Sequence, residues 1–254
     1  MLQTLFKPLL GIGVELAISW LLLWLIERRS LNALGLLPTK RRVIGFVAFF
    51  FLTALCCAGQ FFMRMLFARE QWQLNPGIST NLVIQGTWWT LMSVLYEELI
   101  FRGALLYILI RRIGPLKAMI ISSVAFGIYH WFSYGQLGNY QQMTITFIST
   151  GTFGLLLAYA YYKTSSLLVP IAIHFGWNLV NGFIFSQGPI GKGIFIPVAG
   201  QPQVSVSYFT FLCIMVLPIV TALLLNYFLL KKQPKEFQLS KREVLNTKLS
   251  GLKP

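Results

Sequence analysis

The run Leu82–Ile110, LVIQGTWWTLMSVLYEELIFRGALLYILI, decides how the whole chain is read. It is apolar for longer than a soluble core helix needs. Yet it carries Tyr96-Glu97-Glu98-Leu99-Ile100-Phe101-Arg102-Gly103, with two carboxylates and a guanidinium. About 18 mostly apolar residues suffice to cross roughly 30 Å of hydrocarbon as a helix rising 1.5 Å per residue. This run therefore reads as a membrane span with charges inside it. Each such charge costs on the order of 3 kcal/mol or more to bury, so it marks a pairing network or a working site.

The rest of the chain agrees. It has 254 residues, 56% of them hydrophobic and only 11% charged, and a mean hydropathy of +0.67. Those values exclude an ordinary cytosolic enzyme, a disordered protein and a small disulfide-stapled domain. Cys56, Cys57 and Cys213 all fall in apolar runs and read as small buried hydrophobes. The charge balance is 21 Lys and Arg against 7 acids, every acid a glutamate, with only two histidines.

Seven segments are long and apolar enough to be spans: roughly 9–26, 43–68, 82–110, 116–134, 142–162, 166–184 and 207–230. The first is too long for a signal-peptide core and lacks a small-residue cleavage site, so it reads as retained. The expected fold class is all-α: a polytopic membrane helix bundle of about seven transmembrane helices, or eight with an extra short helix. Residues 1–230 form a single domain and residues 231–254 a basic tail. Lys and Arg alternate between rich and poor loops, as a correct span count requires. Sixteen of them, including Arg28, Arg29, Lys40–Arg42, Arg111, Arg112, Lys163 and the tail, fall on one side; Lys7, Arg69 and Lys192 fall on the other. The positive-inside rule then places the N-terminus outside and the C-terminus in the cytoplasm. Basic residues distributed in this way set topology and do not point to nucleic acid. The stretch 187–203, rich in Gly and Pro, reads as an irregular cap on the outer face.

Spacing divides the buried charges. Glu98 and Arg102 are four apart on one helix face and can pair, whereas Glu97 lies about 100° away and needs a partner from another helix. Glu97 is thus the candidate for chemistry, and the alternative is that both glutamates serve a packing network. Phe126-Gly127-Ile128-Tyr129-His130 and His174-Phe175-Gly176-Trp177-Asn178 put the two histidines on two further spans, and Asn181 continues the second stripe. From the cytoplasmic ends of their spans Glu97, His130 and His174 lie at roughly 20, 21 and 12 Å, so one shared cavity requires tilt. A carboxylate beside an imidazole in such a cavity can take a proton from water for attack on a carbonyl. A second imidazole and a carboxamide can hold the resulting oxyanion. Gly176 suits close approach of backbone or substrate. Neither histidine has a serine or cysteine beside it in sequence, although Ser93 is open as a spatial neighbour. Glu15 and Arg64, the other charges inside spans, are expected to pair between the first two helices.

At these residues the chain resembles the CAAX protease and bacteriocin-processing (CPBP, Abi) family of intramembrane proteases. That family's signature is EExxxR, FxxxH and HxxxN on successive membrane helices, and all three occur without substitution across residues 90–180. The resemblance implies an endopeptidase cutting in or near the membrane, with removal of a terminal tripeptide from prenylated CAAX proteins as the best-understood case. By position it assigns Glu97 and His130 to water activation, His174 and Asn178 to the oxyanion, and Glu98 and Arg102 to support. The peptide substrate comes from the resemblance alone.

Other readings stand beside it. Two histidines and a glutamate are also zinc-ligand types, although no HExxH occurs; the expectation is no cofactor, with zinc as runner-up. A proton or ion relay in a transporter would also need buried ionisable groups, but no repeat symmetry is present. A non-catalytic scaffold or bacteriocin immunity protein is the third. Expected partners are a membrane-associated or C-terminal peptide and the lipid bilayer, and expected placement is the plasma (inner) membrane.

Overall fold

The computed structural model describes residues 2–188, 191, 193–201 and 204–233, with only the backbone described for residues 2–7. The basic tail beyond Gln233 and the outer Lys192 lie outside the described residues. Within them the chain is almost entirely helical. The elements are α1 (Leu2–Leu22), continued by a π turn over Leu23–Glu27, α2 (Lys40–Phe67), α3 (Thr80–Arg102), α4 (Ala104–Ile113), α5 (Pro115–Ser133), α6 (Tyr140–Thr164), α7 (Leu168–Asn178), continued as π helix over Leu179–Ile184, and α8 (Tyr208–Lys232). Two short strands, β1 (Trp72–Leu74) and β2 (Phe195–Pro197), pair antiparallel.

Among the described residues four helices are long and apolar enough to cross a membrane: Pro8–Glu27, Lys40–Phe67, Tyr140–Thr164 and Tyr208–Lys232. The other three expected spans coincide with α3–α4, α5 and α7, which fall short in length or apolarity. These three carry the motifs. The carboxylates, imidazoles and hydroxyls that build a site dilute the hydropathy by which a span is recognised.

The expected third span is not one helix. It breaks at Gly103, whose backbone leaves the helical region (φ −76°, ψ −135°) and where an added Cβ would meet the Leu99 carbonyl. Ser122 donates its hydroxyl to the carbonyl of Phe101 at 2.8 Å, satisfying an acceptor that the break exposes. Beyond it, α4 buries Leu106, Tyr107 and Ile110. At its far end, Arg111 and Arg112 both reach Glu27 at the end of the α1 stretch, at 2.7 and 3.1 Å.

Helix α7 lies at the centre of the bundle, packed against α2, α3 and α6, with every residue from Val169 to Gly176 buried. Gly176 faces α2: a Cβ there would stand 2.5 Å from the Phe50 carbonyl oxygen. The glycine thus serves backbone approach between helices. Between α2 and α8, Asn226 donates to the Thr53 hydroxyl at 3.0 Å, a buried polar link that suits hydrocarbon surroundings.

At the opposite end from Arg111 the described part of the cap contains a regular element. The β ribbon runs across it, and Trp72 and Phe185 cluster with Phe61 of α2, the two phenyl rings stacked at 4.0 Å. The expected Glu15–Arg64 pair is not formed. Arg64, one turn from the end of α2, pairs with Glu70 at 2.9 Å, while α1 packs chiefly on α3 and so carries Glu15 away from α2.

Candidate active site

Three helices contribute. On α3, Glu97 and Glu98 point in different directions, as adjacent helical residues must. Glu98 and Arg102 are fully buried and paired, Oε1 to Nη1 at 3.0 Å. Arg102 also donates Nη2 to the carbonyl of Gly154 at 3.3 Å, and its guanidinium lies 4.0 Å from the centroid of the Phe126 ring. Gly154 makes room for it, since a Cβ there would come within 3.0 Å of Nη2.

The same Glu98 oxygen accepts from His174 Nδ1 at 2.8 Å. Sequence reasoning paired Glu98 with Arg102 and missed this third member, because α3 and α7 are 76 residues apart in the chain. An imidazole between a buried carboxylate and a carboxamide needs a defined tautomer. With Nδ1–H donated to the carboxylate, the neutral ring carries its lone pair on Nε2. Asn178, one turn along α7, donates Nδ2–H to that Nε2 at 3.1 Å.

His130 is set in the same way by a different acceptor. Its Nδ1 lies 2.7 Å from the carbonyl of Phe126, four residues back on α5, so Nδ1 carries the hydrogen and Nε2 faces the cavity. The Phe126-x-x-x-His130 spacing thus works twice: the residue four back supplies the carbonyl that fixes the ring, and its own phenyl lies under Arg102.

Glu97 meets both rings. Its Oε2 is 3.7 Å from His174 Nε2 and 3.9 Å from His130 Nε2, with the side chain 14% exposed. The depths estimated from the sequence are reconciled, and the two histidines and Glu97 share one site. These separations exceed a direct hydrogen bond and match polar groups that share a water between them. Among the described residues no group of three or more His, Cys, Asp or Glu is arranged to hold a metal ion.

Two cavities meet at this cluster, and Glu97, Tyr134 and Asn178 line both. One, of about 230 Å3, is bounded by His130 and His174 together with Phe153, Trp177 and Ile219. The other, of about 470 Å3, runs toward the cap past Thr90, Ser93, Asn181 and Gln187. Asn181 and Ser93 therefore belong to the second space; among the described residues no hydrogen bond joins Ser93 to either histidine. Tyr134, which follows α5 and sets its ring 5.0 Å from that of His130, is a wall residue that no motif flagged. The change from α to π winding directly after Asn178 rotates the residues that follow it, a device often found at functional sites.

The geometry agrees with a comparison to known families. The model of the family described as type II CAAX prenyl endopeptidase Rce1-like matches residues 79–180. That stretch contains all three motifs and every residue of the cluster, and the match lies in the CPBP family that the motifs resemble. At the family level it supports a CAAX-type intramembrane endopeptidase, a hydrolase. No curated protein and no solved structure matches the chain.

Proposed function

We propose that this protein is an intramembrane endopeptidase that hydrolyses a peptide bond in or near the bilayer with a water activated by Glu97 and His130. The observation that carries the reading is the approach of one Glu97 oxygen to the Nε2 atoms of both histidines, at 3.7 and 3.9 Å.

A water held between Glu97 and His130 loses a proton to the Glu97 carboxylate as its oxygen bonds to the scissile carbonyl carbon. The carbonyl oxygen becomes an oxyanion and needs donors. Asn178 Nδ2–H is one. His174 is the other in the form that has taken a proton from solvent onto Nε2 before the substrate binds and keeps it through the cycle, a cation that the Glu98 carboxylate at 2.8 Å offsets. Protonation of Nε2 also ends its role as acceptor for Asn178, so both donors turn to the substrate together. Collapse of the tetrahedral intermediate breaks the C–N bond, and the proton held by Glu97 passes to the leaving nitrogen. Arg102 is a positioning residue, holding Glu98 and through it His174.

Further parts of the reading rest on the sequence. The bundle crosses the membrane about seven times, with α3, α5 and α7 spanning because neighbouring helices shield their polar faces. The N-terminus is outside and the C-terminus cytoplasmic, in the plasma (inner) membrane. The substrate is a membrane-associated or C-terminal peptide, and a prenylated CAAX terminus is the family-level candidate.

The test is hydrolysis of a prenylated CAAX-type peptide by protein in proteoliposomes, compared between wild type and Glu97→Ala. Cleavage that the substitution abolishes supports the reading. Equal turnover removes Glu97 from the chemistry, and solute flux without cleavage favours a transporter.

A further inference from the structure

A further cavity lies away from the candidate active site. It has a volume of about 520 Å3 and opens between α2 and α8 at the basic end of the bundle. Its mouth is formed by Lys40 and Arg42, with Arg41 beside them already engaged by Gln233 at 3.4 Å, its walls by Ile44, Ala48 and Leu229, and its floor by Phe49 and Val169, both 3% exposed. Among the described residues no acidic side chain lines it. Ile44 is 59% exposed and Leu229 40%, so the groove faces the bilayer along its length. From Lys40 to Phe49 it follows α2 for roughly 14 Å.

The charges at the mouth are placed against local electrostatics. They occupy the first turn of a 28-residue helix that has no acidic residue there, where the positive end of the helix dipole favours anions. Lys163 and Lys231 add to the positive end, Lys163 Nζ reaching the Lys231 carbonyl at 3.4 Å. Arg42 is anchored by donating to the Leu37 carbonyl at 3.0 Å. Such a collection is stabilised by an anion, and an apolar groove below it is filled by a hydrocarbon chain.

We propose that this groove binds one anionic phospholipid, its phosphate among Lys40, Arg42 and the N-terminus of α2 and an acyl chain along Ile44, Ala48 and Leu229. Basic pockets between membrane helices recognise acidic headgroups in this way. Charge complementarity also argues against the chain's own C-terminal segment as occupant: residues 234–254 carry Lys235, Lys241, Arg242, Lys248 and Lys253 against only Glu236 and Glu243.

The test is native mass spectrometry of the full chain in detergent, with phosphatidylglycerol and phosphatidylcholine of identical acyl chains at equal concentration. Wild type retains phosphatidylglycerol in preference. The Lys40→Gln/Arg42→Gln double variant loses that preference by about thirtyfold, roughly fivefold per charge. Ala48→Leu, which fills the groove without touching the charges, lowers retention of both lipids. Inorganic phosphate does not displace the bound lipid. Equal retention of the two lipids by wild type overturns the proposal, as does an unaltered preference in the double variant. Displacement by inorganic phosphate with no effect of Ala48→Leu would reduce the site to an anion site without a chain. Much tighter lipid binding by a chain ending at Gln233 would make the tail the occupant. All side chains substituted are at the rim or exposed to lipid, and unchanged melting temperatures keep the comparison interpretable.

Discussion

Replacing Glu97 and Glu98 in turn by glutamine separates chemistry from architecture. The two residues are adjacent, and Glu→Gln preserves shape while removing charge. Glu98 is fully buried, and one of its oxygens holds both Arg102 at 3.0 Å and His174 at 2.8 Å. In Glu98→Gln the guanidinium keeps the Gly154 carbonyl but loses its counter-charge. Breaking a buried ion pair from one side costs roughly 3–5 kcal/mol, a fall in melting temperature on the order of 10 °C. Glu97 has no partner closer than 3.7 Å among the described residues and is 14% exposed, so Glu97→Gln costs little stability, about 0.5 kcal/mol or less. Activity runs the other way. Glu97→Gln removes the proposed base and is expected to lower kcat by roughly 100- to 10,000-fold with the fold intact. The assay pairs thermal unfolding of detergent-solubilised protein with peptide hydrolysis in proteoliposomes. Equal destabilisation by the two substitutions, or wild-type turnover in a folded Glu97→Gln protein, refutes the division of labour.

On the proposed mechanism Asn178→Ala removes an oxyanion donor and is expected to lower kcat by roughly 100- to 1000-fold with KM little changed, measured by steady-state hydrolysis; a loss confined to KM would make Asn178 a substrate-binding group. Gly176→Ala pushes a methyl group toward the Phe50 carbonyl and separates α7 from α2, costing about 1–3 kcal/mol by thermal unfolding; an unchanged melting temperature would contradict the close packing. Hydrolysis is expected to survive exhaustive chelation with less than stoichiometric zinc in the active protein. Activity that zinc removal and return switch off and on would replace the metal-free route. Arg64→Ala breaks a largely buried pair with Glu70 at the cap and the contact of its guanidinium with Phe61, and should cost about 1–2 kcal/mol with hydrolysis unchanged.

Much of this could be read from residue order. Apolar runs of bilayer length located the helices, because hydrocarbon admits only backbone that satisfies itself. The i to i+4 spacing of Glu98 and Arg102 foretold their pair, since it depends only on local helical geometry. The choice of Glu97 as the residue left for another helix followed from the same rotation. The break at Gly103 was missed, since a single residue leaving helical geometry hardly disturbs hydrophobic periodicity; a glycine after a buried arginine was its only trace. Glu15 and Arg64 were paired on depth alone, and depth does not say which helices are neighbours.

The sequence by itself determined that the chain is a membrane helix bundle and that its two histidines, two adjacent glutamates and one asparagine stand out from an apolar background. Those are consequences of composition and of local periodicity. Tertiary structure alone decided that Glu98 holds His174 as well as Arg102, that both rings turn Nε2 toward Glu97, and that two cavities meet there. These depend on which faces of α3, α5 and α7 come together. That choice is made by close packing around a buried α7 and by residues such as Gly176 and Gly154, whose missing side chains let backbone and guanidinium approach.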